Sequence, residues 1–359
     1  MRPSTSVLAR AVSRPRRRRN SAARAVRYIG LFAWFGGTAL HLAGEGAARD
    51  GGRRLAEEAA RRWSAVRAAA VAAHVAGSAA LGWAGRHRGW AQRAMPTAMI
   101  LDTASTAVGI GGQWVAQGLS GASPGVPGGT PALRAARWAV LVGAGGSVLA
   151  QGYLAEQQRT VRSVRKARLR PRGRGGGGHR PALPLAHALR DLGLAASFGS
   201  AVMHALAVHE AADDVTDPLE RLRALDAVAD RWRPFGVAAA VAAVVGDVAM
   251  DRSRRGHRTL RPGLGRFVVA QRGIALLSVT SSVAAVAQRK RVLRSVPPGE
   301  AGVWGPAAPA PLEAAHRRLR KLERVAASLL VPVVVLDARV AEELRPVATL
   351  EGVVARLRS

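Results

Sequence analysis

The stretch Arg27–His41 reads RYIGLFAWFGGTALH, and the stretch Arg190–His204 reads RDLGLAASFGSAVMH. Laid together without gaps, Arg, Gly, Leu, Ala, Phe, Gly and His coincide. Further matches follow in the same order: Arg62-Trp63 with Arg231-Trp232, Gly77 with Gly246, and AEQQR at Ala155–Arg159 with AEELR at Ala341–Arg345. A series that keeps its order along both halves points to an internal duplication rather than to an Ala and Gly bias.

Each copy carries four apolar runs close to the ~20 residues that a bilayer core requires. In the first half they are Tyr28 to Gly44, Ala68 to Gly85, Met95 to Leu119 and Trp138 to Ala155. In the second they are Leu192 to Val208, Pro234 to Met250, Phe267 to Ala287 and Val325 to Val340, the last interrupted after Leu336. The expected fold is therefore all-α: a polytopic integral membrane protein built from two tandem homologous four-helix transmembrane repeats, about eight spans in all. Residues 1–27 form a basic cytoplasmic tail, 28–159 the first repeat, 160–186 an Arg- and Gly-rich linker, 187–345 the second repeat and 346–359 a C-terminal tail. An even number of helices per copy gives both copies one orientation, related by an axis along the membrane normal.

The run Arg16–Arg19 before an apolar stretch has the form of a secretory or twin-Arg signal. Its copy inside the chain favours a retained first helix instead. Trp63, Trp138 and Trp232 each follow an Arg at the start of an apolar run, and Trp83, Trp90 and Trp114 lie near run ends, as interfacial indoles do. With the N-terminus in the cytoplasm, the first half keeps most of its Arg on the inner side. The second half reverses, because Arg289, Lys290, Arg291, Arg294 and the cluster Arg317 to Arg324 fall in a nominally external loop. The acidic external stretch Val208 to Arg233 is expected to hold a short helix starting after Thr216, with Pro218 in its first turn.

The formal net charge of +31 comes almost wholly from Arg, with Lys only at Lys166, Lys290 and Lys321. With abundant Ala, Gly and Pro, that bias suggests a GC-rich bacterial genome, which weakens a basic charge as a sign of nucleic-acid binding. The linker around Gly173 to Gly178 and the basic tail are candidates for contact with anionic lipid. The chain has no Cys, which excludes disulfides, thiolate metal sites and Cys nucleophiles.

Two constellations carry candidate chemistry. His41 and His204 occupy matching places ~21 Å along their helices, and His74 sits midway along the second helix, where it could approach the depth of His41. A His pair between helices is the geometry of a b-type haem or part of a metal site, against the plainer reading of interhelical hydrogen bonding. The second constellation is Asp102, Asp247 and Arg272, with Ser278 and Ser78 matched to the two Asp in the repeat, as though the polar positions lined one interface. Such a group suits an ion or proton path or a buried structural salt bridge. The glycines Gly30, Gly36, Gly37, Gly44, Gly143, Gly145 and Gly146 read as packing devices, since no Walker or dinucleotide spacing is present. No hydrolase triad, zinc motif or kinase signature occurs.

Three function classes follow. The first is a non-enzymatic membrane protein, a scaffold or a small-solute or ion transporter with two pseudo-symmetric halves. The second is a haem- or metal-binding redox component using His41, His74 and His204. The third is a soluble basic protein that binds nucleic acid through its Arg-rich segments.

Overall fold

The computed structural model describes residues 5–47, 53–86, 94–122, 130–167, 182–258, 264–295 and 310–343. The C-terminal tail, most of the linker including Gly173 to Gly178, and Trp90 lie outside the described residues. Every described element is a helix: α1 (Thr5–Ala47), α2 (Arg53–Arg86), α3 (Ala94–Ala122), α4 (Pro131–Ala167), α5 (Ala182–Met203), a π turn (His204–Val208), α6 (His209–Ala212), α7 (Pro218–Arg258), α8 (Leu264–Ser295) and α9 (Ala310–Glu343).

Ala-rich sequence gives these helices their propensity, and short polar residues set their starts. The Thr130 hydroxyl accepts the Leu133 N–H at 3.2 Å, with Pro131 in the first position of α4. Asp217 caps α7 likewise, accepting the Leu219 N–H at 2.9 Å next to Pro218. Both use a proline where its missing N–H costs nothing. The short external helix expected after Thr216 is the first part of α7, which continues through Pro234 to Arg258. The nominal loop of basic residues is also largely helical, because α8 runs to Ser295 and α9 begins at Ala310.

Among the described residues, four helices are long and apolar enough to cross a membrane by length and composition: Glu58–Trp83, Leu185–Ala212, Pro218–Arg252 and Gly265–Arg294. These cover the second, fifth, sixth and seventh of the expected runs. Of the others, Arg27 and Glu45 bracket the run of α1, Asp102, Gln113 and Gln117 interrupt α3, and Asp337 and Arg339 break that of α9. The apolar faces of α7 and α8 are largely uncovered, with Val244 62% and Leu276 65% exposed. A belt of that kind is unsuited to water and matches hydrocarbon.

The helices pack in antiparallel pairs, α1 with α2, α3 with α4, α5 with α7 and α8 with α9, while α1 and α5 lie against each other at the centre. Small residues permit the close crossings. A Cβ on Gly30 would collide with the Ala70 carbonyl oxygen and the His74 nitrogen; one on Gly193 would collide with the Ala239 oxygen and the Ala243 nitrogen. Gly77 lies against the Arg27 nitrogen and Ala23 oxygen, and Gly246 against the Arg190 nitrogen and Ala186 oxygen. At the centre, Gly36 abuts Ala195 and Gly199, and Gly199 abuts Phe32 and Gly36. Tyr28 feels the charge of Asp191, and Leu40 shares a core with Met203, so α1 and α5 run in the same direction. The main core joins Leu31, Phe32 and Trp34 of α1 to Phe198 of α5, Val148 of α4, and Leu330 and Val334 of α9.

Candidate functional site in the polar interior

Charged side chains enter this apolar frame at two levels, set by the ends of α5. At the level of its first turns, the Arg190 guanidinium lies 2.6 Å from Asp337, 3.3 Å from Asp191 and 3.5 Å from Asp247. Arg272 of α8 pairs with Asp247 at 2.6 Å and reaches Asp251 at 3.6 Å. From α1, Arg24 hydrogen-bonds the Tyr28 hydroxyl, which stands within electrostatic reach of Asp191 and Asp337. Arg190 and Arg272 thus meet Asp191, Asp247, Asp251 and Asp337, all on buried or half-buried residues except the partly open Arg272.

Across α1, at the matching level, the Arg27 guanidinium pairs with Asp102 of α3 at 2.5 Å, and both are nearly buried. A hydrogen-bonded chain runs beside it, from the His74 ring Nε2 to the Thr106 hydroxyl at 3.2 Å, on to the Ser147 hydroxyl at 2.9 Å, and from there to the Asp102 carbonyl at 3.2 Å. Gln151 of α4, 4% exposed, has no hydrogen-bond partner among the described residues for either side-chain polar atom.

The second level lies where α5 ends. His209 Nε2 makes a short contact with the Glu323 carboxylate, and His204 Nδ1 lies 3.7 Å from the same oxygen. The other Glu323 oxygen takes Arg289, which is 1% exposed and also donates to the Leu225 carbonyl at 2.9 Å. Outside this core, Arg320 pairs with Asp213 at 2.5 Å and with Glu210, Arg324 pairs with Glu210 at 2.9 Å, and Arg62 reaches Asp214 at 2.8 Å. His316 stands 3.3 Å from Asp213, and burial holds its pKa below the ordinary imidazole value.

Of the residues singled out in the sequence, Asp247 and Arg272 come together, whereas Asp102 joins a separate pair with Arg27. Ser278 donates to the Ala326 carbonyl at 2.9 Å, and the buried Ser78 hydroxyl has no hydrogen-bond partner among the described residues. His41 lies within electrostatic reach of Arg137 and Arg67. His74 packs beside Gly30, eleven residues from His41 along α1, or ~16 Å in rise. These two rings stand at different levels, and the His74 Nε2 is already engaged by Thr106. Among the described residues no three His, Asp or Glu side chains are placed to share a metal ion.

Several members of both clusters escaped the sequence reading. Arg27 and Arg190 were visible as identities in the matched stretches, and Asp337 as the residue that ends the last apolar run. His209 and Glu323 gave no such signal, since one looked like a loop residue and the other like part of a solvated basic segment. No family model matches the chain, and neither does any curated protein or any solved structure.

Proposed function

We propose that the chain is a multi-pass protein of the plasma membrane, its N-terminus in the cytoplasm, whose two pseudo-symmetric four-helix halves transport a small cation, most simply a proton. The carrying observation is the group of charges around Arg190. Two guanidinium groups, Arg190 and Arg272, and four aspartates are held together among apolar helices. Intramembrane carboxylates of this kind are expensive to maintain and characteristic of ion and proton paths. The His204, His209 and Glu323 group at the far end of α5 and α9 supplies a second titratable station.

The pseudo-symmetry rests on recurring close contacts. Gly30 meets α2 as Gly193 meets α7, Gly77 meets α1 as Gly246 meets α5, and Gly36 and Gly199 meet each other with Phe32 and Ala195 in reciprocal places. The match of AEQQR with AEELR puts Ser147 opposite Val333 and Gln151 opposite Asp337. Ser147 then donates to the Asp102 carbonyl as Gln271 donates toward the Val333 carbonyl. In this register Asp102 corresponds to Gln271 rather than to Ser278. Each half sets one Arg against one Asp and one Gln, with the Asp and Gln exchanged between its last two helices.

A scaffold role has its own support, because Phe198, Leu330 and Val334 form a dry layer between the two polar levels. The readings separate in proteoliposomes carrying an internal pH dye under an imposed membrane potential. Transport predicts a proton or cation flux above that of empty vesicles, lost in Asp337→Asn. A folded protein that passes no ion under any gradient sinks transport and leaves the scaffold. The haem and nucleic-acid readings are addressed by the visible spectrum of the purified protein and by its release from membranes at alkaline pH.

A further inference from the structure

The surface of α9 carries an open groove of about 580 Å³ that neither polar level uses. Its upper wall is Arg317, Arg320, Lys321 and Arg324, cations at helical spacing on one face. Its lower wall includes Val325 and Leu329, where the helix turns apolar. Arg320 and Arg324 are partly neutralised by Glu210 and Asp213, whereas Arg317 and Lys321 are exposed on the groove.

We propose that this groove seats the phosphate of an anionic phospholipid, with its acyl chain descending along Val325 and Leu329. The inference rests on the membrane reading above. Three features favour a lipid over a free anion. The cations stand immediately above an apolar wall, which is the order of headgroup and hydrocarbon in a bilayer. Arg317 and Lys321, one helical turn apart, are both exposed beside the groove, and their long stems can carry the charged heads to a headgroup boundary. Among the described residues no carboxylate lines the groove, so its four cations make it complementary to negative charge. The seat also accounts for a dense basic cluster on the nominally external side. Part of its charge is met by Glu210 and Asp213, and the remainder by lipid phosphate.

The test uses the full chain, purified in mild detergent, stripped of lipid and offered phosphatidylglycerol, phosphatidylcholine or inorganic phosphate, with adducts read by native mass spectrometry. The wild type should retain phosphatidylglycerol in preference to phosphatidylcholine. Arg317→Gln with Lys321→Gln should cut that preference roughly tenfold or more, on the scale of interfacial cations. The charge-keeping pair Arg317→Lys with Lys321→Arg should preserve it, which rules out a general folding defect. Equal retention of the two lipids, an unchanged preference in the Gln pair, or displacement of the lipid by inorganic phosphate overturns the seat. Carbonate extraction of the source membranes separates the two levels of the argument. Release of the chain overturns the membrane reading and the seat with it, whereas a chain that stays in the membrane without a lipid preference overturns the seat alone.

Discussion

His204 and His209 converge on one oxygen of Glu323. In a regular α-helix residues five apart point about 140° away from each other. The π turn His204–Val208 widens the helix at this place, and the His209 N–H bonds back to the His204 carbonyl, so the two rings fall on one side. Glu323 thereby holds two imidazoles and the buried Arg289. Replacing Glu323 with Gln strips Arg289 of its counter-charge in the interior and should cost about 3–5 kcal/mol of stability. Chemical unfolding in detergent reads this directly. Adding Arg289→Leu should recover part of the loss, since an uncharged pair is better tolerated than a single buried charge. A wild-type midpoint for Glu323→Gln would mean that the Leu225 carbonyl alone satisfies Arg289.

The central crossing supplies a second prediction. Gly36 and Gly199 bring the α1 and α5 backbones into contact, and a Cβ at either position meets main-chain atoms that cannot give way. Gly36→Val or Gly199→Val should separate the helices and cost roughly 3 kcal/mol or more, beyond ordinary overpacking because backbone is struck. The measure is the loss of the monodisperse peak in size-exclusion chromatography. Gly111→Val and Gly273→Val serve as controls, since both positions are exposed and, among the described residues, nothing lies within 4 Å of a Cβ at either. These controls should elute as the wild type does.

A third prediction concerns acid. His316 lies outside the apolar spans, and burial lowers its pKa from the ordinary imidazole value of 6.5. The unfolded chain therefore binds this proton more readily than the folded one. Its contribution to stability is fully present above about pH 6.5 and is lost as pH falls through the depressed folded value. His316→Gln should flatten the fall of the thermal midpoint between neutral and mildly acidic pH. An unchanged slope would locate the acid sensitivity elsewhere.

The helical class and the apolar runs were legible in the sequence because period and length are local properties. The glycines of the matched stretches marked crossings for the same reason, since a position that accepts no Cβ in a packed helix leaves a small residue behind. The site was legible only in part. Asp247 and Arg272 could be paired by depth, but depth alone grouped Asp102 with them, and helix neighbours decide that question. His74 was matched to His41 by assuming where α2 begins, and a helix start misjudged by a few residues shifts the depth by a full turn. The His209 and Glu323 pairing depends on a π turn and on a contact between distant segments. Neither leaves a periodic trace.

The fourth prediction tests the duplication through its charges. In the first half Arg27 takes its carboxylate from Asp102 on α3, and the proposed register puts Gln151 at the corresponding place on α4. In the second half Arg190 takes its nearest carboxylate from Asp337 on α9, and the same register puts Gln271 at the corresponding place on α8. The Gln271 amide lies 3.5 Å from Asp337, so a carboxylate at position 271 would stand within reach of the same guanidinium. Asp337→Gln alone should cost about 3 kcal/mol, the lower end for breaking a buried pair, because Asp191 and Asp247 remain near Arg190. Adding Gln271→Asp converts the second half to the arrangement of the first and should restore at least half of that loss. A double-mutant cycle in detergent measures the coupling. If the two changes merely add, the correspondence of Asp102 with Gln271 is wrong, because a residue at position 271 that cannot replace the charge of Asp337 does not share the place that Asp102 holds beside Arg27.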